Sequence, residues 1–256
     1  RTMQITLLTD IPVWVQPLTR AIEERGARVV LAGEPNETLA DGLIVNRLST
    51  QLVHNDAARA ARFEQALERF ACEGRAVVNG TECLRLGNNK LAQAKLFERC
   101  GVQTPETFPA KPDKRALPNK RILLKPGAGG YGRGIRELSP GEPMPAEPFA
   151  QDDNWVEQEM IQPSDGAVHR IEILGKRILY DARTPITRND YNYCLAGGQA
   201  NVDLHNESEI PATLVASVLE IAAEAKMEIG SLEYLLDENG QPIFIDLNPV
   251  SSLHPD

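Results

Sequence analysis

The chain has 256 residues, 42% of them hydrophobic, with a formal net charge of -9, which suits two lobes with a small third. That charge argues against a general nucleic-acid or anionic-membrane binder, whose affinity comes from Lys and Arg neutralising phosphates. No apolar run reaches membrane-spanning length, the start RTMQITLLTD lacks a signal-peptide core, and Cys72, Cys83, Cys100 and Cys194 are scattered without a C-x-x-C pair or zinc-ligand spacing, as expected of reduced thiols in a cytoplasmic protein.

The first third alternates between short apolar runs and amphipathic ones. MQITLLT reads as a buried strand, WVQPLTRAIEERG as a helix ending at Gly26, and ARVVLAG and DGLIVNRLS as two further strands. A long helix follows in NDAARAARFEQALERFACEG, opened by Asn55 or Asp56, and then a fourth strand in AVVNG. This rhythm implies a parallel sheet with helices on its faces. Ligands bind such sheets beyond their strand C-termini, so Thr9, Asp10, Asn46, Arg47 and Asn79 stand where they could line a cleft, although capping of loops is the commoner use of these residue types.

TECLRLGNNKLAQAKLFERCG reads as one helical stretch stopped by Gly101. Prolines then cluster between Pro105 and Asn154, where only RILLKP and GRGIREL carry strand signals, as in a small lobe built on hairpins. After WVEQEMI come an antiparallel hairpin in HRIEILGKRILYDAR, a polar glycine-bearing loop, a helix from about Ala212 to Met227 and a final hairpin.

The stretch ILLKPGAGGYGRGI contains G-x-G-x-x-G at Gly127, Gly129 and Gly132. A dinucleotide fold would need a helix directly after it, and RGIRELSP is too short and is stopped by proline. A P-loop would need Lys and Ser or Thr after Gly132, where Arg133 and Gly134 stand. What remains is strand, Lys125, glycine loop, strand. Backbone N–H groups on glycines can approach phosphate oxygens closely, so the loop reads as a mobile lid over phosphates, with a plain hairpin turn as the alternative.

The end of the chain, GSLEYLLDENGQPIFIDLNP, carries the clearest chemistry. With Asn239-Gly240 as a two-residue turn, Leu236 faces Ile243, Tyr234 faces Ile245, and Glu233 falls opposite Asp246, with Asn248 two residues further on the same face. Opposed like charges destabilise a sheet, and a divalent cation removes that cost. In the middle hairpin a Gly175-Lys176 turn puts Arg170, Asp181 and Arg183 on one face, where two arginines suit a transferring phosphoryl group. The same register sends His169 to the apolar face.

Taken in order, GNNKLAQAKLFERCGVQTPET, ILLKPGAGGYGRGI, WVEQEMI and GSLEYLL with PIFIDLNP resemble the ATP-grasp superfamily, in particular the ribosomal-protein glutamate ligase and the D-alanine–D-alanine ligases, over most of residues 87–250. The resemblance implies an α/β fold, α+β in its C-terminal part. Residues 1–86 would form an N-terminal parallel-sheet domain, 87–157 a small central lid and 158–256 a C-terminal antiparallel-sheet domain holding the metal site. It implies ATP and Mg2+, or Mn2+ in its place, as cofactors. Lys90 and Lys125 match the nucleotide lysines, and Gly127, Gly129, Gly130 and Gly132 the lid. Glu159, Met160 and Ile161 match the adenine edge, Glu233, Asp246 and Asn248 the metal triad, and Arg170 a strand arginine. Arg170 and Arg183 are thereby the expected catalytic cations. The match departs at Val168, where an acidic residue often contacts ribose, and Asp165 is the substitute considered. It also departs in DYNYCLAGGQA, which lacks the basic residues the glutamate ligase carries before its double glycine; Tyr191, Asn192, Tyr193 and Arg188 could line a substrate cleft there.

The implied reaction is ATP-dependent carboxylate–amine ligation through an acylphosphate, on small-molecule or peptide substrates, in a chain that could form a homo-oligomer and binds neither nucleic acid nor membrane. The alternatives are a small-molecule kinase on the same fold and a nucleotide-binding module without turnover.

Overall fold

The computed structural model describes residues 2–35, 41–130, 132–150, 154–186 and 202–250. The N-terminal strands β1 (Gln4–Leu8), β2 (Arg28–Ala32), β3 (Leu43–Asn46) and β4 (Val77–Val78) form a parallel sheet in the order β2-β1-β3-β4. Helices α1 (Gln16–Glu24), α2 (Gln51–Asn55) and α3 (Ala57–Cys72) connect them. Asp56 caps α3 by accepting from the Arg59 N–H at 2.9 Å, and α3 buries Ala60, Phe63, Ala66, Leu67 and Phe70 against this sheet, a stripe at helical spacing. No helix among the described residues is long and apolar enough to cross a membrane.

Two helices follow where the sequence suggests one. α4 (Thr81–Gly87) and α5 (Lys90–Arg99) are separated by Asn88 and Asn89, and Asn89 caps α5 through the Ala92 N–H at 2.9 Å. Asn competes for local backbone bonds and so prefers a cap to a helix interior. The break also has a tertiary cause. A Cβ on Gly87 would stand 2.5 Å from the Pro249 ring, so α4 can close on the last strand's exit only with glycine there. The Lys90 N–H then donates to the Gly127 carbonyl at 2.9 Å, which seats α5 against the glycine loop.

β5 (Thr107–Pro109), β6 (Ile122–Pro126), β7 (Arg136–Leu138) and β8 (Trp155–Glu159) make a small antiparallel sheet in the order β5-β8-β6-β7. β9 (Ala167–Leu174), β10 (Arg177–Pro185), β11 (Asp203–His205), β12 (Ile229–Leu236) and β13 (Pro242–Asn248) make a larger one, ordered β11-β10-β9-β12-β13. Helix α6 (Ala212–Glu224) buries Leu214, Val218, Ile221 and Ala222 in one cluster with Phe97, Ile171, Leu232 and Phe244. The core of the third sheet thus includes α4 and α5, and β8 runs across position 157.

Both C-terminal hairpins differ in register from the sequence expectation, each through a bulge. At the last one, the Asp237 carboxylate accepts the N–H groups of Asn239 and Gln241, both at 2.8 Å, so the turn is wider than Asn239-Gly240. Leu236 then faces Pro242 and Tyr234 faces Phe244, but Ile245 is an extra residue and the expected pairing returns with Glu233 opposite Asp246. In the middle hairpin the irregularity lies between Ile178 and Tyr180, after which Arg170 faces Ala182 instead of Asp181, and Arg183 faces His169.

The N-terminal sheet is pinned to the last one by Asn79. It is fully buried in the left-handed region at φ 55. Its Oδ1 accepts from Glu228 N at 2.8 Å and Ile229 N at 3.2 Å, its Nδ2 donates to Pro249 O at 2.9 Å, and its carbonyl accepts from Asn46 Nδ2 at 2.9 Å. Asn79→Ala should cost about 3 kcal/mol, because buried backbone groups lose partners and a Cβ residue without Asn's local bonding holds this conformation poorly. Asn79→Gly should cost about 1 kcal/mol less by relieving the backbone. Denaturant unfolding measures both; a glycine variant no more stable than the alanine variant would contradict the conformational share of that cost.

Candidate active site

A cleft runs between the small sheet and the large one, closed at one end by the N-terminal sheet's loops. Its walls come from the C-terminal end of β6, the glycine loop after it, the residues following β8, and the face of β9, β12 and β13 that carries Arg170, Glu233 and Asp246. Strand alternation sets that face. Arg170 pairs with Glu233 and Glu233 with Asp246, so the three side chains stand in one row across three strands. The bulge at Ile245 places both Ile245 and Asp246 on the cleft, which regular alternation forbids.

Charge in the row is alternately compensated. Arg170 donates through one guanidinium nitrogen to Glu233 Oε1 at 2.9 Å and through Nε to Glu172 at 2.9 Å. Lys90, the first residue of α5, reaches across to Asp246, and Asn248 Nδ2 lies 3.4 Å from Glu233 Oε1. Burial pushes the Glu233 carboxyl above its ordinary value; Arg170 opposes that shift and Asp246 adds to it. Lys125 donates to Gln158 Oε1 at 2.7 Å. Burial, with repulsion from Lys90, lowers Lys125 to about 8 against the pull of Asp246 and Glu233.

The residues fit a hard divalent cation. Two carboxylates and the Asn248 side-chain amide, whose nitrogen faces Glu233 in the free protein, converge, and a cation there would relieve the raised Glu233 and release Lys90 and Arg170 for other anions. Two carboxylates alone make no cluster of three acidic, His or Cys ligands among the described residues, so the third ligand would be the Asn248 oxygen.

The glycine loop approaches its neighbours at two tight points. Gly127 is buried under Asn154, where a Cβ would meet the side-chain oxygen at 2.2 Å, and its N–H donates to Asn154 O at 2.6 Å. Further along, a Cβ on Gly130 would stand 3.2 Å from Thr50 Oγ1, so the loop reaches over the cleft to the N-terminal sheet's loop. Gly129, Gly130, Gly132 and Arg133 line the cleft. At the opposite end Leu123, Met160, Ile161, Val168 and Leu235 form an apolar slot beside Glu159.

Of the residues singled out in the sequence, Lys90, Lys125, Gly129, Gly130, Gly132, Glu159, Met160, Ile161, Arg170, Glu233, Asp246 and Asn248 share this cleft. Gly127 supports it from beneath. Two expectations are corrected. Arg183 lies on the other face of the sheet, because the bulge reverses its side, and donates to Asp165 Oδ2 at 3.1 Å. Asp165 is likewise away from the cleft and accepts from His169 Nε2 at 3.0 Å. These join Asp181 and Tyr234 in a polar network beneath the sheet: His169 Nδ1 is 3.1 Å from Asp181, and the Tyr234 hydroxyl donates to the same carboxylate at 2.8 Å. Burial lowers the His169 pKa, but its two carboxylate partners outweigh that and hold it above its ordinary value. Val168 does line the slot, while Asp165 is not among the residues lining the cleft. Arg188, Tyr191, Asn192 and Tyr193 lie outside the described residues.

Thr9, Asp10, Asn46 and Asn79 act as loop caps and pins; Asp10, for example, accepts from Ser49 N and Oγ, both at 2.6 Å. Ser49, Thr50 and Trp14 reach the cleft in their place. Sequence reasoning also passed over Glu172 and Gln158, which hold Arg170 and Lys125. Glu172 was findable, since it lies two residues from Arg170 on the same strand face; Gln158 and Trp14 carry no such signal.

The sequence model of the ATP-grasp domain family matches residues 87–250. No curated protein matches the sequence significantly. Among solved structures the fold is similar to the ATP-grasp ligase PsnB complexed with a minimal precursor, at a TM-score of 0.69 and 16% identity over 98% of this chain and 92% of that one. It is also similar to the D-cycloserine synthetase DcsG, at 0.68 and 14% over 98% and 93%, and to a D-alanine–D-alanine ligase from Bacillus anthracis complexed with ATP, at 0.66 and 13% over 98% and 87%. With a cleft of this composition between two antiparallel sheets, and a family match over well above half its length, the chain belongs to the ATP-grasp family.

Proposed function

We propose that this protein is an ATP-dependent carboxylate–amine ligase working through an acylphosphate. The observation that carries the reading is the facing of Lys90, Lys125 and Arg170 with Glu233, Asp246 and Asn248 in one cleft under a glycine loop. Phosphoryl transfer needs positioning and charge neutralisation more than covalent help, and this set supplies both. The neighbours support the cofactors, since structures of PsnB hold Mg and ADP and the D-alanine–D-alanine ligase holds ATP. PsnB is complexed with a peptide precursor and DcsG makes a small molecule, so peptide and small-molecule acids are both within the reading.

In this mechanism the apolar slot around Met160 and Leu235 takes the adenine, and the backbone of Glu159 and Ile161 meets its edge. Glu233, Asp246 and Asn248 would hold Mg2+, which supplies charge neutralisation on the phosphate oxygens. Lys90 leaves Asp246 for the phosphates, Lys125 is aimed by Gln158, and Arg170 is aimed by Glu172. A substrate carboxylate oxygen attacks the γ-phosphorus, the bond to the β-phosphate oxygen breaks, and ADP leaves. The amine then attacks the acyl carbon, phosphate departs with its bridging oxygen, and the proton lost from the amine leaves on that phosphate. Gly129, Gly130 and Gly132 over the cleft keep water from the acylphosphate in between.

Calorimetric titration with ATP tests the site. Binding should require Mg2+ and fall by about tenfold or more in Asp246→Asn, as loss of a charged ligand predicts. Metal-independent binding unaffected by that variant would contradict the site. Hydroxylamine trapping of an acyl product during ATP turnover would support the ligase, whereas a stable phosphoester would assign a kinase instead.

Lys125 adds a pH prediction. Its pKa of about 8 in the free protein, against an ordinary 10.5, means that it is partly neutral near pH 8. The unfolded chain therefore binds more protons between these values, and the free protein gains stability as pH rises through that window. ATP phosphates restore the charge, so binding near pH 8 should take up protons and weaken as pH rises further. Titration in buffers of different ionisation enthalpy measures the uptake, which should vanish in Lys125→Met.

A further inference from the structure

The chain that follows β8 runs along the cleft and then turns beneath it into β9. Met160, Ile161, Gln162 and Pro163 line the cleft, as does Val168 near the start of β9. The turn between them is tied down from below. The Ser164 N–H donates to the Leu236 carbonyl at 2.9 Å, beside Leu235 of the apolar slot, and the Gly166 carbonyl accepts from the N–H of Ile186, another cleft residue, at 2.8 Å. At the centre stands Asp165. Its carboxylate accepts from Ala167 N at 3.2 Å and Arg183 Nε at 3.1 Å, and its carbonyl accepts from Arg183 Nη2 at 2.9 Å. The carboxylate oxygen that meets Arg183 Nε also lies 3.0 Å from His169 Nε2.

Both ring nitrogens of His169 face carboxylates, Nε2 that of Asp165 and Nδ1 that of Asp181 at 3.1 Å. An ionised carboxylate only accepts, so a ring that serves both carries a proton on each nitrogen and a positive charge. Asp181 needs that charge. It is buried, the Tyr234 hydroxyl donates to the same oxygen at 2.8 Å, and its Oδ1 has no hydrogen-bond partner among the described residues. Arg183 on β10 and Tyr234 on β12 stand directly opposite His169, the latter with its ring stacked. Beyond them, His205 on β11 is opposite Asp181, and Asp203 accepts from Arg183 Nη1 at 3.3 Å. In the 3-10 turn after β11, Glu207 and Glu209 are exposed, and Glu209 closes on Asn206 N at 2.8 Å. Burial opposes charge on the His169 ring, and its two carboxylates outweigh it.

We propose that His169, as an imidazolium spanning Asp165 and Asp181, is a positioning residue for the adenine wall of the cleft. Loss of one proton leaves a single N–H for two carboxylates. Asp165 keeps Arg183 and the Ala167 N–H, whereas Asp181 keeps only the Tyr234 hydroxyl among the described residues, so the remaining proton stays on Nδ1. Asp165 then meets a bare nitrogen lone pair, and the repulsion loosens the turn from Pro163 to Gly166 that carries one side of the slot. Nucleotide therefore binds best to the protonated ring, and by reciprocity bound nucleotide holds the proton more tightly. The inference rests on the nucleotide reading above and extends it to a residue beneath the sheet that does not line the cleft.

Titration of ATP at saturating Mg2+, in wild type and in His169→Gln, from slightly acidic to alkaline pH, measures the coupling. Like the neutral ring, the Gln amide can donate to one carboxylate but offers the other only an acceptor. Below the pKa of the His169 ring, followed by NMR of isotope-labelled histidine, wild type should bind about fivefold more tightly than the variant, and the difference should close as pH rises through that pKa. Lys125 titrates in both proteins and cancels from the ratio. A ratio that stays constant across the range, or a free protein whose His169 ring is already neutral at physiological pH, overturns the proposal. If His169→Gln does not fold, wild type and Asp165→Asn decide: saturating ATP should raise the ring's pKa by about 0.7 in wild type, the counterpart of a fivefold coupling, and leave it in place in Asp165→Asn. An equal rise in both, or none in wild type, overturns the proposal. Wild-type protein that binds no ATP at any pH overturns the nucleotide reading itself and this proposal with it, whereas ATP binding at a constant ratio overturns the His169 argument alone.

Discussion

Glu233 and Asp246 stand opposite one another on neighbouring strands, and much of the surrounding architecture follows from the cost of that pair. Two carboxylates in register destabilise a sheet, and here burial raises the cost further by pushing Glu233 toward its neutral form. Lys90, Lys125 and Arg170 offset it from three elements, α5, β6 and β9. Each of these cations is in turn held by a second group: Lys90 by the seating of α5 on Gly127, Lys125 by Gln158, and Arg170 by Glu172. A site balanced this way in the free protein is primed to exchange its internal ion pairs for a cation and phosphates, because each of those ligands can replace a partner already present.

Close approaches and one buried side chain fix the junctions of the arrangement. Gly87 against Pro249 and Gly127 under Asn154 bring two elements closer than a Cβ would allow, and the Asn79 side chain bonds Glu228, Ile229 and Pro249. Pro249 directly follows Asn248, so two of these three contacts fix the exit of β13 where the Asn248 side chain enters the cleft. Beneath the sheet, the network of Asp165, His169, Asp181 and Tyr234 braces β9, β10 and β12 from the other side, with the His169 and Tyr234 rings stacked at 4.7 Å.

Strand alternation and glycine spacing made the two halves of the cleft legible in the sequence. Lys125 before its glycine run, and Glu233 with Asp246 and Asn248 around a hairpin, need only local rules and a family pattern to be found. The pairing of Glu233 with Asp246 was reached through a turn that the protein does not use. Asp237 widens the turn by one offset and the bulge at Ile245 restores it, so two departures cancel. No such cancellation occurs in β10, where the irregularity before Tyr180 carries Arg183 to the far face and changes its role from cleft cation to partner of Asp165. Bulges depend on tertiary contacts that local sequence does not encode, the Asn88-Asn89 break owes as much to the approach of Pro249 as to the local capping preference of Asn, and Trp14, Ser49 and Thr50 reach the cleft only because the N-terminal sheet docks beside it.

The most direct test of the account is a crystal structure of the protein with Mg2+ and a non-hydrolysable ATP analogue. The account predicts adenine in the slot at Met160 and Leu235, the terminal phosphates between Lys90, Lys125 and Arg170, and metal density on Glu233, Asp246 and Asn248 with the Lys90–Asp246 contact opened. A nucleotide bound elsewhere, or metal density away from these three oxygens, would contradict it.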